Sequence, residues 1–105
     1  MTDTAIDITT KIKIKTDLKP PTKYSVIYFN DDKTSMDFVV VSLVDVFGYG
    51  LDTAMNITMQ IHEKGSGSVK SGLSKEIAVH LRNLVLSKAR AEGFPLVVEI
   101  EEDAP

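Results

Sequence analysis

The sequence contains no cysteine. That excludes a disulfide framework, a thiolate zinc site and a cysteine nucleophile, and it suits a reducing cytoplasm, the expected location. No apolar run approaches the roughly 18 residues that a membrane-crossing helix needs, so no membrane partner is expected. The first residues, Met1-Thr-Asp-Thr-Ala-Ile-Asp, lack the basic start and apolar run of a signal peptide. An excess of positive charge is missing too: 12 Lys and Arg stand against 15 Asp and Glu, for a formal net charge of -3. A nucleic-acid binder uses a basic field to neutralise phosphates, so nucleic acid is not an expected partner. There is no Gly-rich phosphate loop, no nucleophile elbow and no His-Glu-x-x-His, so no motif supports catalysis or a cofactor.

What is present is an ordinary globular composition, 43% hydrophobic and 26% charged, over 105 residues. That length suits one compact domain with a modest core. Residues 1–22 are rich in Thr, Lys and Asp and end in Leu18-Lys19-Pro20-Pro21-Thr22, with almost nothing large to bury. They read as a flexible N-terminal arm, and residues 23–105 as the core domain. Within the arm Ile12-Lys-Ile-Lys alternates with period two, which also admits a strand that forms only against a partner or a sheet edge.

In the core, Tyr24-Ser-Val-Ile-Tyr-Phe29 is aromatic and β-branched, and Asn30-Asp31-Asp32 breaks it with turn chemistry. Thr34, three residues before Asp37, predicts a capping-box variant opening a helix through Phe47; its middle, Phe38-Val-Val-Val, is apolar almost all round and predicts a largely buried helix. Gly48-Tyr49-Gly50 ends it. A second helix spans Leu51 to Lys64 and stops at Gly65. The Gly/Ser-rich segment after it is read as a short strand rather than a linker. Ser74 caps a third helix whose predicted buried stripe is Ile77, Leu81, Leu84 and Val85, and Gly93 stops it. Pro95-Leu-Val-Val-Glu-Ile100 is the last strand. The fold class is α+β in the order βααβαβ, a three-stranded antiparallel sheet packed against three helices.

Asn30-Asp31-Asp32 places one amide and two carboxylates between a buried strand and a helix, although turns favour these residues for local reasons alone. Adjacent carboxylates without a supporting cluster are weak ground for a metal, and none is expected. His62 lies near the C-terminus of the second helix, where a lone His is usually structural. His80 has no nucleophile or second ligand at recognisable spacing and reads as a surface residue.

The run Pro20-Pro21-Thr-Lys-Tyr24-Ser-Val-Ile-Tyr-Phe-Asn30-Asp31-Asp32-Lys-Thr34-Ser-Met36-Asp-Phe38-Val39-Val40 resembles the ClpS signature of Pro-Pro, strand, Asn-Asp-Asp and Thr-x-Met-x-Phe-Val. The likeness continues through Phe47-Gly-Tyr49, Ala54, Ile61-His62-x-x-Gly65, Ala78 and Pro95-Leu96. ClpS proteins are monomeric adaptors rather than enzymes. They capture N-degron substrates whose first residue is Leu, Phe, Tyr or Trp and deliver them to the AAA+ unfoldase ClpA of the ClpAP protease. The resemblance implies that Asn30, Asp32 and His62 hold the substrate's α-amino group, and that Asp31 and Thr34 contact the peptide backbone. It further implies that Met36, Val39, Thr58, Ile61 and Leu96 line a pocket for the first side chain. The chemistry is sensible, because an ammonium has three donors and these residues supply acceptors.

Two departures from the family pattern matter. Thr58 stands where the family usually has the bulkier Met. The family's docking stretch Glu-x-Ala-Glu-Thr-Lys appears as Glu76-Ile-Ala78-Val79-His80-Leu81, which keeps only Glu76 and Ala78, with Arg82 one position along as a compensating charge. Two alternatives therefore stay open. One is a diverged ClpS-like domain that binds N-terminal residues but acts as a decoy or serves another unfoldase. The other is a small metal-dependent hydrolase using Asp31, Asp32 and His62.

Overall fold

The computed structural model describes residues 21–104. The expected arm therefore falls, for residues 1–20, outside the described residues. The elements follow as β1 (Tyr24–Phe29), α1 (Met36–Asp45), α2 (Leu51–Lys64), β2 (Ser66–Leu73), α3 (Lys75–Ala91) and β3 (Val97–Glu102). This is the α+β order that the sequence predicts.

β1 is the central strand of an antiparallel sheet in the order β2-β1-β3. Its pairing with β3 is unbroken over six positions, from Tyr24 opposite Glu102 to Phe29 opposite Val97. Its pairing with β2 is not. β2 advances seven residues, Ser66 to Leu73, while β1 retreats five, Phe29 to Tyr24, and register shifts flank Val26. Each shift absorbs one extra residue, as a β-bulge does. One extra residue falls at Ser71-Gly72, where there is no bulky side chain to misplace, and the other at Val69, whose side chain is buried in the core.

α1 is capped by Ser35, whose hydroxyl accepts from the backbone N–H of Phe38 at 3.1 Å. The predicted cap, Thr34, is one residue off because its hydroxyl donates to Asp31 instead. The expectation of an all-round buried α1 is also corrected: Phe38, Val39, Ser42 and Leu43 are buried, but Val41 is 53% exposed. The helix lies on the outside of the domain and covers the core with one face only. α2 has the predicted bounds and ends at Gly65, whose φ of 89° lies in the left-handed region that glycine adopts without steric cost.

Ser74 caps α3, its hydroxyl accepting from the Ile77 N–H at 3.3 Å. The buried face of α3 is Ala78, Val85 and Ala89; Ile77 and Leu84, from the predicted stripe, are 52% and 39% exposed. α3 packs on β1 and β3, and small side chains at the contact let its backbone approach the sheet closely. The core gathers Val26 and Tyr28 of β1, Leu43 of α1, Val85 of α3 and Leu96 just ahead of β3, all essentially inaccessible. The Tyr28 phenol shares a 2.8 Å hydrogen bond with the Ser42 hydroxyl, which itself donates to the Val39 carbonyl at 2.8 Å. Burial pushes the Tyr28 phenol far above its ordinary range, with the Ser42 bond acting in the opposite direction. That keeps the phenol protonated inside the core.

Candidate functional site

Two turns meet at the C-terminal end of β1. Directly after the strand, the backbone N–H of Asn30 donates to the carbonyl of Gly65 at 2.9 Å, joining the strand's end to the end of α2. Asp31 then organises the loop. Its Oδ1 accepts from the backbone N–H groups of Lys33 and Thr34, at 2.8 and 2.7 Å, and its Oδ2 accepts from the Thr34 hydroxyl at 2.8 Å. Burial acts to raise the Asp31 pKa. The backbone and hydroxyl bonds from Thr34, the Lys33 N–H and the positive charge of Arg90 act oppositely and hold the carboxyl below its ordinary value. Asp31 is therefore a fixed anion with its lone pairs partly committed to the turn.

The chain that follows the turn carries Met36 and Val39 on the first turns of α1. The last turns of α2 bring Thr58, Ile61 and His62 alongside, and Leu96 approaches from the segment before β3. These side chains, with Asn30, Asp31 and Thr34, surround one recess. Its volume is about 300 Å³, open mouth included. Val39, Thr58, Ile61 and Leu96 are buried and form the apolar interior, whereas Asn30, Met36 and His62 are exposed. The Thr58 hydroxyl donates to the Ala54 carbonyl at 2.8 Å. Its hydrogen is thus spent within its own helix, and the residue adds chiefly shape to the wall.

Of the residues singled out in the sequence, Asn30, Asp31, Thr34, Met36, Val39, Thr58, Ile61, His62 and Leu96 all come to this recess. Asp32 does not line it: the side chain is exposed on the adjoining turn. Tyr28 and Phe29 line the recess and were not anticipated. Their position at the strand end immediately before Asn30 is the signal that could have found them. Glu76 and Arg82 lie away from the recess on α3. Glu76 is exposed, and the Arg82 guanidinium donates twice to Asn83 Oδ1, each at 3.3 Å.

Among the described residues no group of three or more His, Asp or Glu side chains is placed to hold a metal ion. Asp31, Asp32 and His62 accordingly do not assemble the cluster that the hydrolase alternative requires. No helix among the described residues is long and apolar enough to cross a membrane.

Residues 19–99 match the family model described as ATP-dependent Clp protease adaptor protein ClpS. An ATP-dependent Clp protease adapter protein ClpS of Oleidesulfovibrio alaskensis is 43% identical over 91 residues, 87% of this chain and 86% of that relative. One from Campylobacter jejuni is 37% identical over 89 residues, 85% of this chain and 92% of the relative. The structure of Agrobacterium tumefaciens ClpS2 bound to L-phenylalaninamide matches with a TM-score of 0.77 at 32% identity, covering 80% of this chain and 100% of that one. With the family signature spread over the sheet, both site turns and α1 to α3, the chain belongs to the ClpS family of ATP-dependent Clp protease adaptor proteins.

Proposed function

We propose that this adaptor binds the free α-amino group and bulky hydrophobic first residue of N-degron substrates, Leu, Phe, Tyr or Trp, and delivers them to the AAA+ unfoldase ClpA for degradation by ClpAP. In this reading residues 23–105 are the binding core and residues 1–22 its N-terminal arm. The observation that carries the reading is the recess itself: apolar side chains from α1, α2 and the β3 approach form its interior, and Asn30 and His62 offer acceptors where it opens. Asn30, His62 and the nearby exposed Asp32 take the three ammonium hydrogens, while Asp31 and Thr34 contact the peptide backbone. The ligand of the related ClpS2, L-phenylalaninamide, pairs a free amine with a bulky apolar side chain. That combination supports the assignment.

The magnitudes suit a reversible adaptor. Three charge-assisted hydrogen bonds contribute roughly 1.5–3 kcal/mol each, and a buried side chain about 2–3 kcal/mol. Association costs of at least about 4 kcal/mol offset much of this, leaving at most about 8 kcal/mol and so binding no tighter than about micromolar. A fluorescence anisotropy titration tests it, using a Leu-initiated peptide, its N-acetylated twin and an Ala-initiated control. Binding of the free Leu peptide alone, lost in Asp32→Ala, is the expected result; equal binding of all three peptides would sink the reading.

A second reading, capture without delivery or delivery to a different unfoldase, is favoured by α3. Glu76 is its one retained acidic docking position, and the Arg82 guanidinium is turned onto its neighbour Asn83. Rim charges steer partner choice. A degradation assay separates the two, since a decoy binds the Leu peptide yet slows proteolysis of the substrate.

A further inference from the structure

The sheet has two edges, and they are guarded differently. β2 carries two register shifts, a common way to blunt an edge against further pairing. β3 has none: its six residues pair in unbroken register with β1, and among the described residues no strand pairs with its other side. Every second residue of such a strand turns its backbone N–H and C=O away from its only neighbour. The two faces of β3 are chemically distinct. Val98 is buried and Ile100 half-buried against the core, whereas Val97, Glu99 and Glu101 face solvent. The open edge therefore reads apolar on the core face and acidic on the solvent face.

One stretch of this chain has the complementary pattern. Lys11-Ile12-Lys13-Ile14-Lys15 alternates basic and apolar residues with period two. We propose that this segment docks along the open edge of β3 as a fourth strand. Ile12 and Ile14 extend the apolar face beside Val98 and Ile100, and Lys13 and Lys15 lie opposite Glu99 and Glu101. Acids on an edge strand repel other acidic strands, and a strand that presents lysines in register is the kind this edge admits.

The connection to β1 sets the direction. Tyr24 pairs with Glu102, so the chain enters the sheet at the C-terminal end of β3. Residues 16–23 reach roughly 26 Å when extended. Crossing over β3 to β1 takes about 10 Å, two strand spacings. A segment running parallel to β3 leaves Lys15 at that same end with chain to spare. The reverse direction adds the whole length of β3, about 20 Å, to the path. Lys13 meets Glu99 in either direction, so the charge pairing does not depend on this choice. Nor does the docking depend on the proposed peptide recognition.

Amide hydrogen exchange of the full chain, read residue by residue by NMR, tests the proposal. Three proteins are compared: the natural chain, Lys13→Glu/Lys15→Glu, and the same variant carrying Glu99→Lys/Glu101→Lys as well. The β3 amides turned outward should exchange about tenfold faster in the first variant and return toward the natural rates when the charges are swapped on both sides. The β3 amides bonded to β1 are the internal reference and should not move. Equal outward-amide rates in all three proteins would overturn the proposal. So would protection that grows with protein concentration, which places another copy's segment at the edge.

Discussion

The backbone N–H of Asn30 and the carbonyl oxygen of Gly65 lie 2.9 Å apart and hydrogen-bond. The contact joins the last turn of α2 to the end of β1, and so brings His62 to the recess that Asn30 borders. Gly65 can make it because its φ is 89°, and an added Cβ there would meet nothing within 4 Å. Backbone strain is therefore the whole cost of replacing it. Gly65→Ala is expected to destabilise the domain by about 1–2 kcal/mol, and Gly65→Asn by less, since Asn tolerates the left-handed region better. Urea unfolding of the two variants checks this; equal stability of Gly65→Ala and the natural protein would contradict it.

Gly67 has a different constraint. A Cβ at this position would stand 3.1 Å from Cγ1 of Ile61, a buried side chain of the recess. Gly67→Ala should push Ile61 inward by a few tenths of an ångström, with a stability loss of about 1–3 kcal/mol and several-fold weaker binding of a Leu-initiated peptide. Affinity unchanged in a folded variant would show that Ile61 yields in another direction.

Asp31 makes the loop's stability depend on pH. Its carboxyl is held below the ordinary pKa, so its contribution is fully present above the unfolded value, about 3.9, and is lost as pH falls through the lower folded value. Asp31→Asn removes the titration while keeping the shape. The stability gap between the natural chain and this variant should be flat above about pH 5 and close progressively below about pH 4. Urea midpoints measured from pH 3 to 7 decide it, and a gap that is constant throughout would rule the account out.

Tyr28 and Ser42 form a satisfied polar pair inside the core. Because the Ser42 hydroxyl donates to the Val39 carbonyl, Tyr28 is the donor between the two. Tyr28→Phe should cost about 1 kcal/mol, the worth of one buried hydrogen bond, and Tyr28→Phe combined with Ser42→Ala less than the sum of the single changes. A thermodynamic cycle of unfolding free energies provides the check. Additivity within error would mean that the bond contributes nothing.

Thr58 sets the width of one recess wall. On the proposed function, Thr58→Met fills that space and should weaken binding of an Ile-initiated peptide by about tenfold, the worth of one or two methylenes of lost fit, more than it weakens binding of a Leu-initiated one. Parallel anisotropy titrations measure the ratio; no change in the preference for Leu over Ile would remove Thr58 from the specificity argument.

The legibility of this protein varied by element for identifiable reasons. The bounds of α2 are legible to the residue, because Gly50 and Gly65 flank it, although of its apolar residues Leu51, Met55 and Met59 are exposed and only Ala54 and Ile61 are buried. Local chemistry alone does not choose the cap of α1, because Thr34 and Ser35 are both good caps in isolation. The choice was made by Asp31, which captures the Thr34 hydroxyl. α3 was rotated: Ile77 and Leu84 satisfy helical spacing as well as Ala78, Val85 and Ala89 do, and a periodic pattern does not say which of two neighbouring stripes the sheet will accept.

By itself the sequence determined the element order, the helix-stopping glycines and the family, since each is carried by local chemistry or by a contiguous motif. The recess was different. Its walls come from residues as far apart as Asn30, Thr58 and Leu96, and a sequence expresses their meeting only through resemblance. The tertiary structure decided which of the marked residues face one another. It did so because helix-on-sheet packing favours the small face of α3, and because the bond between Asn30 and Gly65 fixes where α2 ends against β1. Asp32, equal to Asp31 in the sequence motif, was set apart from it by that same geometry, exposed on the turn while its neighbour holds the turn together.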